Sequence, residues 1–242
     1  MNKWFQIIHP NPGCRFRLFC LPFAGSGASL YAQWEKYLDD DIEICAIQLP
    51  GRESRRNECL CRDCRTIVSE LCDAIGELLD KPFAIFGYSM GGILAYELTN
   101  LIYDRYHKKP CKLFMSASTL FREKRKLEIS EMDDSELTAY MERSGGVPEP
   151  VLHDCRFCRE YFPIIRNDYS MIEHYHFNYR KVPCDIVAFA SKEDKEVRFE
   201  NIRLMRFFAR HFELHQMKGS HFFIRQQSEQ LGQMISDALL AG

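Results

Sequence analysis

Strand-like segments, several of them continuous apolar runs, alternate with helix-like segments along most of the chain. Runs without polar interruption are typical of strands that are buried on both faces of a sheet. The predicted strands are 15–21, 42–49, 83–87, 112–117, 185–190 and 212–217. The predicted helices are 28–38, 65–79, 92–107, 199–209 and 226–240. This alternation predicts an α/β fold, with a mainly parallel sheet that helices cover on both faces.

Residues 118–180 interrupt this alternation, because they contain no convincing strand. Glycines and prolines divide the segment into short predicted helices at 135–143, 151–161 and 164–175. A connection of this length usually has a function or a structure of its own. We therefore expect a helical lid at about 119–180, inserted into a single domain that spans residues 1–242.

The overall composition gives no support for nucleic-acid binding, because the net charge is −2 and the pI is about 6.5. No segment approaches the ~18 consecutive apolar residues of a membrane span. The N-terminus lacks the apolar region and cleavage site of a signal peptide. We expect a monomeric cytoplasmic protein without a nucleic-acid or membrane partner.

Eleven cysteines are an unusually high number for such a chain. Cys61 and Cys64, and likewise Cys155 and Cys158, have the Cys-x-x-Cys spacing of a structural zinc site. The two pairs lie far apart, and no glycine-rich knuckle accompanies either of them. In a cytosolic chain, reduced thiols that act as small hydrophobic side chains are the expected state. We expect no bound metal.

The sequence Gly87-Tyr88-Ser89-Met90-Gly91 stands between a predicted strand and a predicted helix. This is the setting in which Gly-x-Ser-x-Gly forms a nucleophile elbow, a turn so tight that glycines must flank the serine. The helix N-terminus directs free N–H groups and the positive end of its dipole toward a developing oxyanion. The pattern predicts that Ser89 is the nucleophile of a serine hydrolase.

A serine hydroxyl is a weak nucleophile and needs a base, and after such an elbow the chain order is serine, acid, histidine. His221 lies just past the predicted strand 212–217, at the sheet edge where reactive groups gather. Asp194 follows the strand 185–190 in the same way, and Glu193 and Glu196 are the alternative acids. The sequence predicts a triad of Ser89, Asp194 and His221.

Backbone N–H groups are expected to stabilise the oxyanion. One donor is predicted at Met90, directly after the nucleophile. The second is predicted at Ala24 or Phe23, because the loop after the strand 15–21 contains small residues that permit close approach.

Several stretches together indicate one protein family more specifically than the elbow alone does. They are Phe19-Cys20-Leu21-Pro22-Phe23-Ala24-Gly25, Gln48-Leu49-Pro50-Gly51-Arg52-Glu53-Ser54-Arg55, Phe86-Gly87-Tyr88-Ser89-Met90-Gly91-Gly92, Gly219-Ser220-His221-Phe222, Ser144-Gly145-Gly146-Val147-Pro148 and Phe162-Pro163-Ile164-Ile165-Arg166-Asn167-Asp168-Tyr169. The chain, from about Arg17 to Leu240, resembles the type II thioesterases of nonribosomal peptide and polyketide synthases. It is also similar to the medium-chain acyl-carrier-protein hydrolase of animal fatty acid synthesis. One departure is Tyr88, where the family often has histidine.

The resemblance implies an α/β-hydrolase fold and a substrate in which an acyl group is bound as a thioester to the phosphopantetheine arm of a carrier domain. Members of the family clear aberrant or stalled acyl groups from acyl- or peptidyl-carrier domains. No metal or soluble cofactor is implied. The alternatives are a medium-chain fatty-acyl carrier-protein hydrolase, a general carboxylester hydrolase, because the same triad cleaves oxygen esters, and a non-catalytic protein with a relic triad.

Two further groups of residues have a functional and a structural interpretation. The lid residues that could line the acyl pocket, or merely pack between helices, are Phe157, Tyr161, Phe162 and Ile165. The basic residues that could meet the phosphate or an acidic carrier, or form a solvated face, are Arg122, Lys124, Arg125, Lys126, Arg52, Arg55 and Arg56.

Overall fold

The computed structural model describes residues 2–8, 10–121 and 128–241. Its strands are β1 (Phe5–Ile8), β2 (Phe16–Leu21), β3 (Ile42–Ile47), β4 (Phe83–Tyr88), β5 (Lys112–Ser116), β6 (Asp185–Ser191) and β7 (Phe212–Met217). They form one sheet of order β1-β3-β2-β4-β5-β6-β7. β1 pairs antiparallel with β3, whereas the other neighbouring strands in this sheet are parallel. The predicted α/β architecture is therefore confirmed.

The α-helices in the described residues are α1 (Cys64–Ile75), α2 (Met90–Tyr106), α3 (Asp134–Ser144), α4 (Glu149–Leu152), α5 (Cys155–Glu173), α6 (Phe199–Arg203) and α7 (Ser228–Leu240). One face of the sheet packs against α1 and α2, and the other packs against α7 and the segment that follows β2. None of these helices has the length and apolar content needed to span a bilayer.

The predicted helix at 28–38 is wrong. The segment instead forms two 3₁₀ turns, Ala28–Tyr31 and Trp34–Lys36. Within the two turns the buried residues are Ala28, Tyr31 and Trp34, which recur every third position, and Leu38 after the second turn is buried as well. A 3₁₀ helix places residues i and i+3 on the same line, so that this spacing fits the observed turns.

The segment between β5 and β6 contains α3, α4 and α5, and we call the part of it at residues 128–184 the insertion. Side chains of Ile129, Leu137, Leu152 and Phe162 form a separate apolar cluster within it. The predicted helices 151–161 and 164–175 are not separate, because α5 continues through Pro163. Pro163 has no N–H, so that one helical hydrogen bond is missing there. Its ring is exposed, whereas Phe162 and Ile164 on either side of it are buried.

The Cys-x-x-Cys pairs differ in their surroundings. Cys64 packs in the core, and burial raises the pKa of its thiol to about 12. Cys155 is exposed at the start of α5. Within the described ranges, no group of three or more His, Cys, Asp or Glu side chains is arranged to hold a metal ion.

A buried ion pair joins the central strands. Arg17 on β2 donates from Nε to Oε2 of Glu43 on β3 at 2.7 Å, and both side chains are less than 10% exposed. Its Nη1 also donates to Oδ1 of Asp80 at 2.6 Å. A buried charge is tolerated only when partners compensate for its lost hydration, so that removal of Arg17 leaves Glu43 uncompensated.

We expect Arg17→Met to lower the free energy of unfolding by ~3 kcal/mol or more, because Glu43 then stays buried without its cation. The control is Arg15→Met. Arg15 pairs with Asp41 at 3.4 Å but is mostly exposed, and such a pair contributes ~0–1 kcal/mol. Urea unfolding followed by tryptophan fluorescence measures both. Equal losses of unfolding free energy in the two variants would contradict a special role of the buried pair in stability.

Candidate active site

A single residue makes the turn between β4 and α2. Ser89 has φ 51° and ψ −116°, a conformation that non-glycine residues rarely adopt. A Cβ at Gly87 would lie 2.6 Å from Cα of Gly92, and one at Gly91 would lie 2.7 Å from the carbonyl oxygen of Pro22. Only glycine fits at these two positions, as the nucleophile elbow requires.

Hydrogen bonds hold the strained backbone of Ser89 on both sides. Its N–H donates to the carbonyl of Ser116 at 2.8 Å. Its carbonyl accepts from the hydroxyl of Ser118 at 2.7 Å. The end of β5 thus fixes the turn, which directs the Ser89 side chain toward His221.

Ser89, His221 and Asp194 form one chain of hydrogen bonds. The Nε2 atom of His221 lies 2.9 Å from Oγ of Ser89, and Nδ1 lies 2.8 Å from Oδ2 of Asp194. A carboxylate only accepts hydrogen bonds, so that Nδ1 carries the proton and Nε2 is free to accept from the serine hydroxyl. His221 is 5% exposed and Asp194 is 9% exposed. The structure thus brings together the three residues that the sequence indicates.

Asp194, and not one of the neighbouring acids, is the carboxylate beside His221. Its Oδ1 atom accepts from the N–H groups of Glu196 at 2.8 Å and Val197 at 3.0 Å, which orients Oδ2 toward the imidazole. The carboxylate of Glu193 accepts from the N–H of Gly219, and that of Glu196 accepts from the hydroxyl of Tyr140.

Tyr88, whose effect the sequence did not indicate, holds the loop that carries His221. Its hydroxyl donates to the carbonyl of His221 at 2.5 Å and accepts from the N–H of Ile224 at 3.2 Å. Its ring packs edge-to-face on Phe23 and Phe223. Burial raises the pKa of the phenol well above its ordinary value, so that it stays a neutral donor.

The residues predicted to donate to the oxyanion lie at the same edge of the sheet. Met90 is the first residue of α2, so that its N–H has no acceptor within the helix. Phe23 and Ala24 belong to the loop of residues 22–27, directly after β2, and β2 is the parallel neighbour of β4. A turn in this loop is closed by the N–H of Ser26, which donates to the carbonyl of Phe23 at 3.0 Å.

A cavity of about 350 Å³ opens beside Ser89 and His221. Its apolar wall consists of Ile93, Ala117, Leu120, Phe121, Ile172 and Val197. Its polar wall includes Tyr169, Glu173, Tyr175, Lys195, Glu196 and Arg198. The hydroxyl of Ser89 therefore faces a cavity that has both an apolar and a polar wall.

The four lid residues that could line the acyl pocket lie outside this cavity. Phe162 and Ile165 are buried within the insertion, and the rings of Phe157 and Tyr161 stack on each other with centroids 4.6 Å apart. None of the four lines the cavity beside Ser89. The insertion contributes Tyr169, Ile172, Glu173 and Tyr175 instead, from the end of α5 and the residues just after it. A helical period alone did not distinguish the face toward the cavity from the face toward α3.

Arg52 and Arg55 form neither a docking surface nor a solvated face, the two interpretations that the sequence left open, because both are buried. Arg52 pairs with Asp168 of α5, and Arg55 pairs with Glu58. Arg56 is exposed. The predicted basic residues Arg122, Lys124, Arg125 and Lys126 lie outside the described residues.

Comparison with known proteins agrees with this geometry. The thioesterase domain family matches residues 16–239. The gramicidin S biosynthesis protein GrsT of Aneurinibacillus migulanus is 32% identical over 238 residues, which cover 96% of this chain and 91% of that protein. The medium-chain S-acyl fatty acid synthase thioesterase of Homo sapiens is 29% identical over 235 residues, which cover 91% of this chain and 85% of that protein.

The structure of the type II thioesterase BorB from the borrelidin biosynthetic cluster superposes with a TM-score of 0.88 and 28% identity. The superposition covers 98% of this chain and 97% of BorB. The fold is thus the α/β-hydrolase fold that the resemblance implied. Because the family match spans nearly the whole chain, this protein belongs to the thioesterase family and is a hydrolase.

Proposed function

We propose that the protein removes aberrant or stalled acyl groups from the phosphopantetheine arm of acyl- or peptidyl-carrier domains in a secondary-metabolite synthase. The observation that carries the proposal is the hydrogen-bonded chain of Asp194, His221 and Ser89 beside a cavity that has an apolar wall. The similarity to GrsT and BorB, which belong to gramicidin S and borrelidin biosynthesis, supports the choice of substrate.

In the proposed reaction, Oγ of Ser89 attacks the thioester carbonyl while Nε2 of His221 takes the hydroxyl proton. Asp194 keeps the imidazole oriented and stabilises the imidazolium that forms. His221 then protonates the departing pantetheine thiolate, which leaves an acyl ester on Ser89. A water molecule activated by His221 hydrolyses this ester, and the free acid departs.

The oxyanion of each tetrahedral intermediate lies between the N–H of Met90 and that of Ala24 or Phe23 in this proposal. Such donors act because they are oriented before charge develops, and the loss of one costs ~3 kcal/mol of transition-state stabilisation. The apolar wall of the cavity, with Ile93, Leu120 and Ile172, receives the acyl chain. The phosphopantetheine arrives with the substrate, so that the mechanism uses no separate cofactor.

One alternative is a medium-chain fatty-acyl carrier-protein hydrolase, because the chain is also similar to the human medium-chain S-acyl fatty acid synthase thioesterase. The other is a general carboxylester hydrolase. Both use the same three residues, so that substrate tests must separate them. The monomeric state and the cytoplasmic location stay predictions.

Mass spectrometry of an acylated carrier domain tests the reaction and the nucleophile together. We expect the wild-type protein to remove the acyl group and Ser89→Ala to leave it in place, because the alanine has no hydroxyl to acylate. An acyl group that stays on the carrier with wild type would contradict the thioesterase proposal. Removal by both proteins would contradict the role of Ser89.

The same assay with three matched substrates separates the alternatives. They are a short aberrant acyl group on a peptidyl carrier, a medium-chain fatty acyl group on a fatty acid carrier protein, and the corresponding oxygen ester. We expect the first to be hydrolysed fastest. Preference for the second or third would assign the protein to the respective alternative.

We expect Asp194→Asn to lower kcat on the order of 10⁴-fold, because the amide no longer stabilises the imidazolium or its productive tautomer. Glu193→Gln is the matched control, one residue away and with the same change of carboxylate to amide. Its carboxylate accepts from Gly219 rather than from His221, so that kcat should stay within about threefold of wild type. Steady-state hydrolysis of a small acyl thioester gives both kcat values. A larger loss of kcat in Glu193→Gln than in Asp194→Asn would identify Glu193 as the acid of the triad.

We expect Tyr88→Phe to lower kcat several-fold with little change in KM, because the carbonyl of His221 and the N–H of Ile224 both lose a buried partner. Each such loss costs ~1–3 kcal/mol of stability. Tyr96→Phe is the control, since its buried hydroxyl also donates to a backbone carbonyl, that of Arg180. Equal effects of the two variants on kcat would show that Tyr88 acts on stability alone.

A further inference from the structure

A buried carboxylate of the insertion contacts the loop of residues 22–27 directly. Asp168 on α5 is 2% exposed, and its Oδ2 atom accepts from the N–H of Gly25 at 2.8 Å. The same carboxylate accepts hydrogen bonds from Nη1 and Nη2 of Arg52, at 2.5 Å and 2.8 Å. Charge-assisted bonds of this two-pronged kind are the strongest that side chains make and fix orientation as well as distance.

Arg52 extends the contact along the loop. It is 3% exposed, and its Nη1 atom also donates to the carbonyl of Ser26 at 3.2 Å. The two ends of one ion pair therefore hold consecutive residues, since Asp168 binds the N–H of Gly25 and Arg52 binds the carbonyl of Ser26. Neither charge is available at the surface for a carrier domain.

Packing reinforces these bonds. A Cβ atom at Gly25 would lie 2.8 Å from Cγ1 of Ile165, one turn before Asp168 on α5. Gly25 has φ +82°, a conformation that favours glycine. The far end of the loop is held by the stretch that contains Arg52, because Gln48 accepts from the N–H of Ala28 at 3.1 Å. The loop thus lies clamped between α5 and residues 48–53.

The hydrogen bonds fix the two peptide planes on either side of Ala24. The plane that contains the N–H of Ala24 also contains the carbonyl of Phe23, which accepts from Ser26 at 3.0 Å. The next plane contains the N–H of Gly25, which donates to Asp168. Because a peptide unit is planar, two fixed planes set the direction of the Ala24 N–H.

We propose that Asp168 is a positioning residue of the thioesterase reaction, which orients the 22–27 loop through Gly25 and Arg52 so that the N–H of Ala24 faces the oxyanion. The inference rests on the proposed function, because it presupposes a tetrahedral intermediate on Ser89. It makes the insertion part of the machinery that stabilises the transition state, in addition to a wall of the acyl cavity. It also gives a role to the Leu-Pro-Gly-Arg-Glu stretch of residues 49–53.

The first test is Asp168→Asn, which preserves the shape of the side chain but cannot accept from Gly25 and both nitrogens of Arg52 at once. We expect kcat to fall ~10–100-fold with KM within about threefold of wild type, since an oxyanion donor acts in the transition state and the loss of one costs ~10²–10³-fold. Asp134→Asn is the control. It makes the same change in the insertion and breaks the exposed pair with Arg166, so that kcat should stay unchanged.

An inhibitor provides a readout that loss of structure alone does not produce. A trifluoromethyl ketone analogue of the acyl-pantetheine forms an oxyanion adduct with Ser89. We expect its inhibition constant for Asp168→Asn to rise by the same factor as kcat/KM falls, because both depend on the oxyanion hole. An unchanged inhibition constant would overturn the proposal.

A second variant keeps the test valid if Asp168→Asn does not fold. Arg52→Met combined with Asp168→Leu replaces the buried pair by apolar side chains, an exchange that proteins often tolerate or benefit from. We expect this double variant to fold and still to show the low kcat, since Gly25 has lost its acceptor. Recovery of wild-type kcat would mean that the pair only supports folding.

The proposed function and this inference fail in different ways. A wild-type protein that leaves acylated carrier intact contradicts the proposed function. A wild-type protein that hydrolyses the carrier thioester, with Asp168→Asn equally fast, contradicts the positioning role alone.

Discussion

The turn at Ser89 is the constraint on which the rest of the molecule depends. One residue must reverse the chain between a buried strand and a buried helix, at a positive φ that serine does not favour. Strain of this kind persists only where the surroundings enforce it. Here the backbones of Gly91 and Pro22 meet so closely that no side chain fits between them, and Ser116 and Ser118 hold the two sides of the turn. The parallel sheet supplies these neighbours because its strands end at one edge.

Buried ion pairs join parts of the chain that must keep one relative arrangement. Arg17 and Glu43 join two central strands, while Arg52 and Asp168 join a loop to a helix that lies more than a hundred residues away in sequence. In both cases the carboxylate has more than one partner, which compensates for its lost hydration. The second pair lies beside the proposed oxyanion hole, where a small rotation of a peptide plane has a large effect on rate.

The parts predictable from the sequence were those with a local signal. Strands β2 to β6 are predominantly apolar, and the elbow has a five-residue pattern, so that Ser89, Asp194 and His221 followed from chain order and strand ends. β1 was missed because Phe5–Ile8 is short and antiparallel. The partner of Arg52 lies 116 positions away, and no local pattern distinguishes such a buried arginine from a surface one. The cavity face of α5 likewise depends on how the insertion packs, which helical periodicity does not determine.

The position of Asp168 on α5 has a consequence for protein engineering. Tyr169 and Ile172, which line the cavity beside Ser89, follow it within about one helical turn. An exchange of this helix for that of a relative, made to change acyl selectivity, therefore also exchanges the residue that faces Arg52. A successful chimera needs a compatible residue at position 52 as well as a suitable cavity wall. Under the proposed function, acyl selectivity and turnover therefore depend on residues of the same helix.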